Sequence, residues 1–472
     1  MLSVRGHLPV LGTLLRSGTL FLSLGICACG GGYGGGGMAG PPLTPTVTMS
    51  IQPMTITAGQ SATLTWSATN VASCTASGGW SGAQNGSGTQ VVTPTTSGTV
   101  TYTLACTAPM GSSYSGGGGG TMSQSVPLTV NAATVFATQN LVSDTAGGGG
   151  TTTDANLVNP WGIVFAPNKP VWIANNGSQT STLYNGAGAP IPLIVTLPQD
   201  ATGNDFDATG IVFNPTTTDF VIASATPGPA AFIYSGEDGM LAGWNGGTAA
   251  IVAYTDAGGA VYKGLALANN GTANFLYATD FHNNKVDVFN STFTKQTPTA
   301  TSFQFVDPTL PAGYAPFGIQ AIANGPAGAT QIYVTYAQQQ APDNHDNANG
   351  AGLGLVDIYD ANGVFVKHLI PVGGALNAPW GLAVAPANFG TLSNALLVGN
   401  FGDGKINGYD PATGTFMGAV ATAGGAAFAV PGLWGIGFGN GAQSQATNTL
   451  YFAAGTNGEA NGEYGRIDPP AP

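Results

Sequence analysis

Hydrophobic and polar residues alternate in the first part of the chain with the period of two that is typical of strands half buried in a sheet. Between residues 43 and 131 the alternating runs include SATLTWSAT, TVTYTLACT and SVPLTV, and turns rich in glycine and serine separate them. Their length and spacing predict a β-sandwich of short strands, with about 90 residues in all.

The second part, residues 132–472, repeats one pattern, which is a turn, a glycine and then an apolar run. The spacing of 48 to 63 residues is close to the size of a four-stranded propeller blade. The six copies read NPWGIVF, DATGIVF, VYKGLAL, APFGIQA, APWGLAV and GLWGIGF, and their marker glycines are Gly162, Gly210, Gly264, Gly318, Gly381 and Gly435.

Two further strand-like runs follow each marker in the same order. In the second unit, for example, DFVIASA is predicted to be the second strand and AAFIYSG the third. The first strands of propeller blades crowd around a central channel, where a glycine lets neighbouring backbones approach closely. We therefore predict an all-β chain ending in a six-bladed β-propeller, with residues 134–144 closing the ring as the outer strand of the last blade.

Charged residues are scarce and unevenly placed. Only 6% of the chain is Asp, Glu, Lys or Arg, the net charge is -12, and none of these residues lies between Ser17 and Ser143. This abrupt change in composition separates two differently built modules. Nine basic residues in the whole chain exclude a nucleic-acid groove, because phosphate binding needs clustered lysines and arginines.

Both modules resemble known families. The pattern GQSATLTWSATNVASCTASGGWSG followed by TYTLAC resembles bacterial immunoglobulin (Ig)-like modules, although its cysteines and tryptophans are placed differently from those of antibody domains. The runs APWGLAV and ALLVGNFGDGKINGYD resemble blades of the NHL-type six-bladed propellers. Stretches such as NLVNPWGI, EDGMLAGW and LVDIYDANG are similar to a family of secreted bacterial propellers. The resemblance implies an Ig-like β-sandwich at 43–131 and an NHL-like propeller at 132–472, and it implies no activity.

Residues 1–28 have the features of an export signal. Arg5 and Arg16 supply a basic region, and the uncharged run that follows is too short to cross a bilayer core of about 30 Å. LGICAC resembles a bacterial lipobox, which implies lipidation of Cys29 and attachment to the cell envelope, with the outer membrane favoured because Gly30 follows. An ordinary secretory signal is the alternative. Residues 29–42 are mostly glycine and predict a flexible tether.

Cys74 and Cys106 are the other cysteines of the exported chain. Because an exported protein meets an oxidising compartment, we predict that they form one disulfide.

Polar residues collect in the loops that a propeller places on one face, namely those between second and third strands and those leading into each blade. The long loop QQQAPDNHDNANGAG is functional or mobile. Its Asp343, His345 and Asp346 can coordinate a cation, or they form a solvated turn cluster. Asp280 and His282 can form a general-base pair, or they form a polar turn. The candidate ligand-binding face comprises Asn176, Asp207, Asp280, His282, His345, Asp346, Asn400, Asp403 and Glu459.

The order of signal, tether, spacer and propeller favours an exported, monomeric binding protein that is anchored to the cell envelope by its lipid alone. Its expected partner is a cell-surface glycan or a protein. The alternative is a metal-dependent hydrolase or lyase of lactonase type on the same face, with calcium as the expected cofactor. Fold similarity alone does not support that alternative, and the chain lacks His-Glu-x-x-His, phosphate-loop and Gly-x-Ser-x-Gly motifs.

Overall fold

The computed structural model describes residues 44–109, 120–131, 135–200, 202–323, 328–423 and 425–470. Strands dominate these ranges, and a short 3-10 helix lies at Gly390–Leu392. None of their helical structure has the length and apolar character needed to cross a bilayer. The all-β prediction is confirmed. The predicted signal at 1–28, the lipidation site Cys29 and the tether at 29–42 lie outside the described residues.

The N-terminal part is a β-sandwich of two sheets. Its strands are β1 (Thr46–Gln52), β2 (Thr55–Thr57), β3 (Ala62–Thr69), β4 (Ser73–Gly78), β5 (Gly82–Gln84), β6 (Ser87–Val92), β7 (Gly98–Thr107) and β8 (Thr121–Asn131). One sheet has the strand order β1-β3-β6, and the other has the order β2-β8-β7-β4-β5.

The two sheets of the sandwich enclose one hydrophobic core. Alternate residues of β3, namely Ala62, Leu64 and Trp66, are buried in it, as the period of two in the sequence predicts. Cys74 of β4 and Cys106 of β7 are direct cross-strand partners and form the predicted disulfide. Kinship of this sandwich with Ig-like modules remains a prediction.

Residues 137–468 form six larger sheets, which we call blades 1 to 6. The chain begins this region with β9 (Ala137–Ser143) and β10 (Thr152–Thr153), which belong to blade 6. Blades 1 and 2 follow, with β11 (Pro160–Phe165), β12 (Val171–Asn175), β13 (Thr180–Tyr184), β14 (Val195–Thr196), β15 (Ala208–Phe213), β16 (Val221–Ile222), β17 (Gly228–Pro229), β18 (Phe232–Gly236), β19 (Met240–Trp244) and β20 (Ile251–Thr255).

Blades 3 to 6 complete the region. Their strands are β21 (Tyr262–Asn269), β22 (Asn274–Asp280), β23 (Lys285–Phe289), β24 (Tyr314–Ala323), β25 (Thr330–Gln338), β26 (Leu355–Asp360), β27 (Phe365–Ile370), β28 (Pro379–Val384), β29 (Leu396–Asn400), β30 (Ile406–Tyr409), β31 (Phe416–Ala419), β32 (Leu433–Phe438), β33 (Leu450–Ala454) and β34 (Glu463–Asp468).

The first strands of the blades surround a central channel. In chain order these strands are β11, β15, β21, β24, β28 and β32; each contacts the next one, and β32 contacts β11. The sheets therefore close into a ring, and the predicted β-propeller is confirmed. Second strands such as β12, β29 and β33 are buried along their whole length, which explains their continuous apolar sequences.

The marker glycines lie where neighbouring blades touch. A Cβ atom on Gly318 would lie 2.0 Å from the Trp380 carbonyl oxygen of the next blade. A Cβ atom on Gly435 would lie 2.5 Å from the Trp161 oxygen, where the last blade meets the first. Glycine is therefore required at these positions because any side chain would push two backbones apart.

The ring is closed by strands from both ends of the propeller sequence. β9 pairs antiparallel with β34, with Ser143 opposite Glu463, and β10 adds to β9 in parallel. The prediction that residues 134–144 supply the outer strand of the last blade is confirmed for the part that is described. Such closure protects the edges of both strands.

Two strand assignments in blade 2 were wrong, because the run AAFIYSG, which was predicted to be the third strand, supplies the second. The run DFVIASA does not supply the second strand, because Val221 and Ile222 pair with Gly228 and Pro229 in a separate two-stranded hairpin. The second strand is β18 and the third is β19. The apolar character of the run comes instead from burial of the hairpin in a cluster shared with blade 3. The loop of blade 2 that reaches the predicted face is therefore 237–239, between β18 and β19.

Candidate functional site

An aromatic plug closes one end of the central channel. The plug lies near the start of the first strands, and aromatic residues that precede four of the marker glycines belong to it, namely Trp161, Phe317, Trp380 and Trp434. The other two of these positions carry Thr209 and Lys263. Trp161 and Trp434 stack at 3.4 Å between ring centroids, and Trp380 meets both edge-on. Phe281 joins the same buried cluster. Toward the opposite end the channel widens into a cavity of about 500 Å³ between the first strands.

Lys263 is a buried cation among these aromatic residues. Its Nζ atom lies 5.3 Å from the centroid of the Trp161 ring, and the residue is only 2% exposed. The ammonium forms an ion pair with Glu237 and lies 3.6 Å from Asp346 Oδ1. A lysine is stable at such a depth only when carboxylates accompany it, and the face of the indole ring adds cation–π attraction.

Blade 1 completes the surroundings of Glu237. Asn176 donates a hydrogen bond from Nδ2 to Glu237 Oε2 at 3.0 Å, and Asn159 donates one to Asn176 Oδ1 at 3.2 Å. Asn176 follows β12, whereas Glu237 lies in the turn between β18 and β19. Both turns join second to third strands, so the ring brings them to the same end of the channel. We call Asn159, Asn176, Glu237, Lys263, His345 and Asp346 the mouth cluster.

The long loop of blade 4, residues 339–354, brings His345 and Asp346 to this cluster. The loop is held by hydrogen bonds from Gln339 Nε2 to the Phe281 oxygen at 2.6 Å and from the Gln340 amide to the Asp346 oxygen at 2.8 Å. His345 Nδ1 lies 2.9 Å from Asp346 Oδ1. The loop is therefore built into the face by specific contacts.

The surroundings of Asp346 favour the ionised form of its carboxyl, unlike those of the nearby carboxyls of Asp207 and Glu459. Burial opposes ionisation of this carboxyl, but the hydrogen bond with His345 and the charge of Lys263 together lower its pKa. The side chain of Asp346 is also 67% exposed, so its charge faces solvent.

Two flanking carboxylates, Asp207 and Glu459, experience repulsion instead. Burial raises the pKa of Asp207, and the charges of Glu237 and Asp205 raise it further. Burial also raises the pKa of Glu459, and the charge of Glu237 is the next cause. The mouth therefore holds more carboxylates than its buried lysine neutralises.

The structure gives several of the other predicted site residues roles within their own turns. Asp280 accepts hydrogen bonds from the Val261 amide at 3.2 Å and from Asn283 Nδ2 at 2.8 Å, and it pairs with Lys285 at 3.3 Å. His282 Nδ1 lies 2.8 Å from the backbone oxygen of Asp343 rather than against Asp280. The contacts of Asp280 correspond to the polar-turn alternative, whereas His282 contacts the long loop of blade 4.

Asn400 and Asp403 are placed in the same way in blade 5. Asn400 Nδ2 donates to the Ala375 oxygen at 2.9 Å and to Asp403 Oδ1 at 3.0 Å. Asp403 in turn forms an ion pair with Lys405 at 2.9 Å. These contacts hold the turn between β29 and β30.

Sequence reasoning missed Glu237 and Lys263, the centre of the mouth cluster. Glu237 was missed because the strands of blade 2 were assigned wrongly. Lys263 lies in the first strand β21 rather than in a loop of the predicted face, yet the repeat contains a signal for it. It precedes the marker Gly264, a position that Trp161, Phe317, Trp380 and Trp434 fill with aromatic rings.

The mouth has one group of potential metal ligands. Atoms of Glu237, His345 and Asp346 all lie within 4.8 Å of one another. Calcium does not fit this group, because calcium prefers six to eight oxygen ligands and an imidazole supplies nitrogen. The ammonium of Lys263 also contacts two of the three residues and repels any metal cation there.

No model of a known protein family matches the sequence. The chain is 30% identical over 294 residues to uncharacterized protein R648 of Acanthamoeba polyphaga mimivirus, covering 60% of this chain and 69% of that protein. Uncharacterized protein L690 of the same virus is 28% identical over 293 residues, which are 60% of this chain and 74% of that protein. Among solved structures, virginiamycin B lyase from Staphylococcus aureus has 13% identity and a TM-score of 0.38, covering 71% of this chain and 99% of that one. A likeness this distant carries no argument about chemistry.

Proposed function

The chain belongs to the family of the uncharacterized mimivirus protein R648, and we propose that its propeller is an extracytoplasmic binding module for basic segments of a protein ligand. The binding surface is the end of the channel that carries the mouth cluster. The observation that carries the proposal is the excess of carboxylates gathered there.

Electrostatics favours a cationic ligand. Burial raises the pKa of both Asp207 and Glu459, and repulsion by the charge of Glu237 is the next cause. An incoming ammonium or guanidinium group would relieve this repulsion, and an anionic polymer would increase it. The exposed carboxylate of Asp346 offers a first point of contact. The pairing of Lys263 with Glu237 and Asp346 over an indole ring shows that this mouth accommodates an ammonium group.

The burial of the aromatic residues favours a protein ligand over a glycan ligand. Sugar-binding sites present an aromatic face to solvent, but Trp161, Trp380 and Trp434 are at least nine-tenths buried. Trp434 stacks on both Trp161 and Phe401, and Trp380 meets Trp161 and Trp434 edge-on. The aromatic plug therefore lies beneath the polar loops and supports them. The carboxylates and amides of these loops provide the surface that recognises a ligand.

The N-terminal part of the chain fits a tethered arrangement. The disulfide between Cys74 and Cys106 suits an oxidising compartment outside the cytoplasm. We propose that a lipid on Cys29 anchors the chain to the cell envelope, that the glycines at 29–42 act as a tether, and that the sandwich serves as a spacer.

A binding experiment with defined probes tests the proposal. The immobilised full chain is titrated with an octapeptide of alternating lysine and arginine, with its glutamate counterpart and with a neutral oligosaccharide. We expect only the basic peptide to bind, at least tenfold more weakly in 500 mM than in 50 mM salt.

Two variants locate the binding. Asp346→Asn should weaken binding of the basic peptide at least fivefold. Asp410→Asn should leave it unchanged, because Asp410 lies in the turn between β30 and β31 at the other end of the ring. Binding of the oligosaccharide alone, or equal effects of both substitutions, would show the proposal to be wrong.

The metal-dependent hydrolase or lyase is retained as a second candidate because Glu237, His345 and Asp346 are close enough to share an ion. It requires Lys263 to move away from both carboxylates. Metal analysis of the purified chain, followed by melting with the metal ion that is found and with a chelator, distinguishes the two. An ion that raises the melting temperature in the unmodified chain but not in His345→Ala would favour the second candidate.

A further inference from the structure

A second cluster of ionisable groups lies in blade 4, away from the mouth. Asp357 of β26 and His368 of β27 are direct cross-strand partners, and His368 Nδ1 lies 2.7 Å from Asp357 Oδ1. Asp307, in the segment that leads into β24, places its Oδ2 atom 3.5 Å from the same nitrogen. One ligand atom from each of the three residues lies within 4.8 Å of the other two.

Both carboxylates of this cluster are buried and incompletely satisfied. The side chains of Asp307 and Asp357 have no exposed surface. Asp307 Oδ1 accepts two hydrogen bonds of 2.7 Å from the amide and hydroxyl of Thr309. The Oδ2 atoms of both residues have no hydrogen-bond partner among the residues that the structure describes. Leaving a buried carboxylate oxygen without a partner is costly, so these atoms require a cation or a proton.

Blade 3 contains an equivalent place with which this cluster can be compared. Asp287 of β23 is opposite Ala278, and Asp357 of β26 is opposite Val334. The next residue of each second strand, Thr279 or Thr335, donates its hydroxyl to a backbone oxygen of the following blade at 2.7 and 2.6 Å. Asp287 and Asp357 therefore occupy the same position of the repeat.

In blade 3 a lysine lies beside the carboxylate at this position of the repeat. Lys295 Nζ lies 2.5 Å from Asp287 Oδ2 and 2.9 Å from Asp256 Oδ1. Asp256 comes from the loop leading into blade 3, just as Asp307 comes from the segment leading into blade 4. Two carboxylates are thus bridged by a permanent cation in blade 3, whereas in blade 4 an imidazole stands at that place.

We propose that Asp307, Asp357 and His368 bind a divalent first-row transition-metal ion. Blade 3 sets two lysines against its pair of carboxylates, because Lys285 Nζ also lies 3.0 Å from Asp287 Oδ1. A single imidazole carries at most one positive charge, so a divalent ion would supply the difference in blade 4. Carboxylate oxygens combined with an imidazole nitrogen suit zinc, cobalt or manganese, and they do not suit calcium. His368 is 31% exposed, so solvent reaches the site and can complete the coordination. Thr309 orients Asp307 as an outer hydrogen-bond partner.

The site has a clear structural consequence. Blade 3 has three strands where blades 1, 2, 4 and 5 have four. The segment between β23 and β24 runs past this missing edge and carries Asp307. A metal bound to Asp307, Asp357 and His368 fastens this segment to the outer strands of blade 4.

Cobalt titration tests the proposal directly. The full chain is stripped with a chelator, dialysed and titrated with Co²⁺, whose visible absorption reports bound metal. We expect one equivalent to bind, and the melting temperature of the propeller to rise by several degrees with Co²⁺ or Zn²⁺. His368→Lys copies the arrangement of blade 3, and we expect it to weaken cobalt binding at least 100-fold while melting no lower than the metal-free parent.

The matched control is His345→Lys, the same substitution in the mouth cluster, which should bind cobalt as the parent does. If Asp357→Asn folds, it should lose the cobalt spectrum as well. If it does not fold, His368→Lys still decides the question. The proposal is wrong if the stripped chain binds no cobalt, which would leave a proton shared by the carboxylates, or if His345→Lys removes the spectrum and His368→Lys keeps it.

Discussion

Lys263 determines the character of the mouth. The positions before five of the marker glycines carry Trp161, Thr209, Phe317, Trp380 or Trp434, and four of these are aromatic side chains that close the channel. A lysine among them brings a charge into an apolar plug, and Glu237 and Asp346 pair with that charge. One substitution within the repeat thus converts the end of the channel into a polar site.

Removal of this lysine should destabilise the propeller. We expect Lys263→Met to lower the free energy of unfolding by about 3 kcal/mol, because Glu237 would stay buried without its cation. Lys405→Met is the matched control. Its ion pair with Asp403 joins side chains that are 43% and 29% exposed, so a loss below about 1 kcal/mol is expected. Urea unfolding of both variants measures the difference, and equal losses would contradict the role assigned to Lys263.

Glu463 makes the stability of the closing blade depend on pH. Burial raises the pKa of this carboxyl to about 7, above the value of about 4.3 that an unfolded chain gives it. The folded state therefore holds a proton that the unfolded state releases. This contribution to stability is complete below about pH 4 and is lost as the pH rises to about 7.

Glu463→Gln should remove that loss. We expect it to raise the free energy of unfolding by roughly 3 kcal/mol at pH 8 and to change it little at pH 4. For the control variant Asp200→Asn we expect no such increase in the free energy of unfolding. Hydrogen bonds from Thr202 and Asn204 lower the pKa of Asp200 to about 2, so this variant should gain nothing at pH 8. Urea unfolding at the two pH values measures both effects. A gain for Glu463→Gln at pH 4 equal to that at pH 8 would refute the assignment.

At the scale of the elements, the first strands could be predicted and one second strand could not. The marker glycines are local signals, since each reports that a neighbouring backbone is close. The run DFVIASA has the same composition as a buried second strand, but Ile222 lies in a hairpin outside the sheet of the blade. Phe220 and Ile222 are buried in a cluster with residues of blades 2 and 3. An apolar composition predicts that a segment is buried, but it does not predict which other segment packs against it.

The close contacts between first strands give a test at this scale. Gly318→Ala should lower the free energy of unfolding by about 3 kcal/mol, because the new Cβ would lie 2.0 Å from the Trp380 oxygen. Gly374→Ala is the control, since nothing lies within 4 Å of its Cβ, and a change within about 0.5 kcal/mol is expected. Thermal and urea unfolding compare them. Unchanged stability of Gly318→Ala would mean that the two blades are not in contact at this point.

At the scale of the whole molecule, the sequence indicated the face of the site but not its members. Strand order alone decides which loops share an end of the ring, so Asn176, His345 and Asp346 could be placed on one face. Contacts between blades depend on how the ring turns each loop toward the channel. For that reason the pairing of Asn176 with Glu237, 61 residues apart, had no local signal. Asp280 shows the converse, because its carboxylate lies on the face but is used by its own turn.

The most direct test of the account maps where a basic peptide touches the chain. A lysine- and arginine-rich octapeptide carrying a photoactivatable benzophenone is cross-linked to the full chain, and the linked residues are identified by mass spectrometry. The account predicts cross-links in loops 176–179, 237–239 and 339–354, which three different blades bring to the mouth. Cross-links confined to the turn at 410–415 or to the sandwich would contradict it.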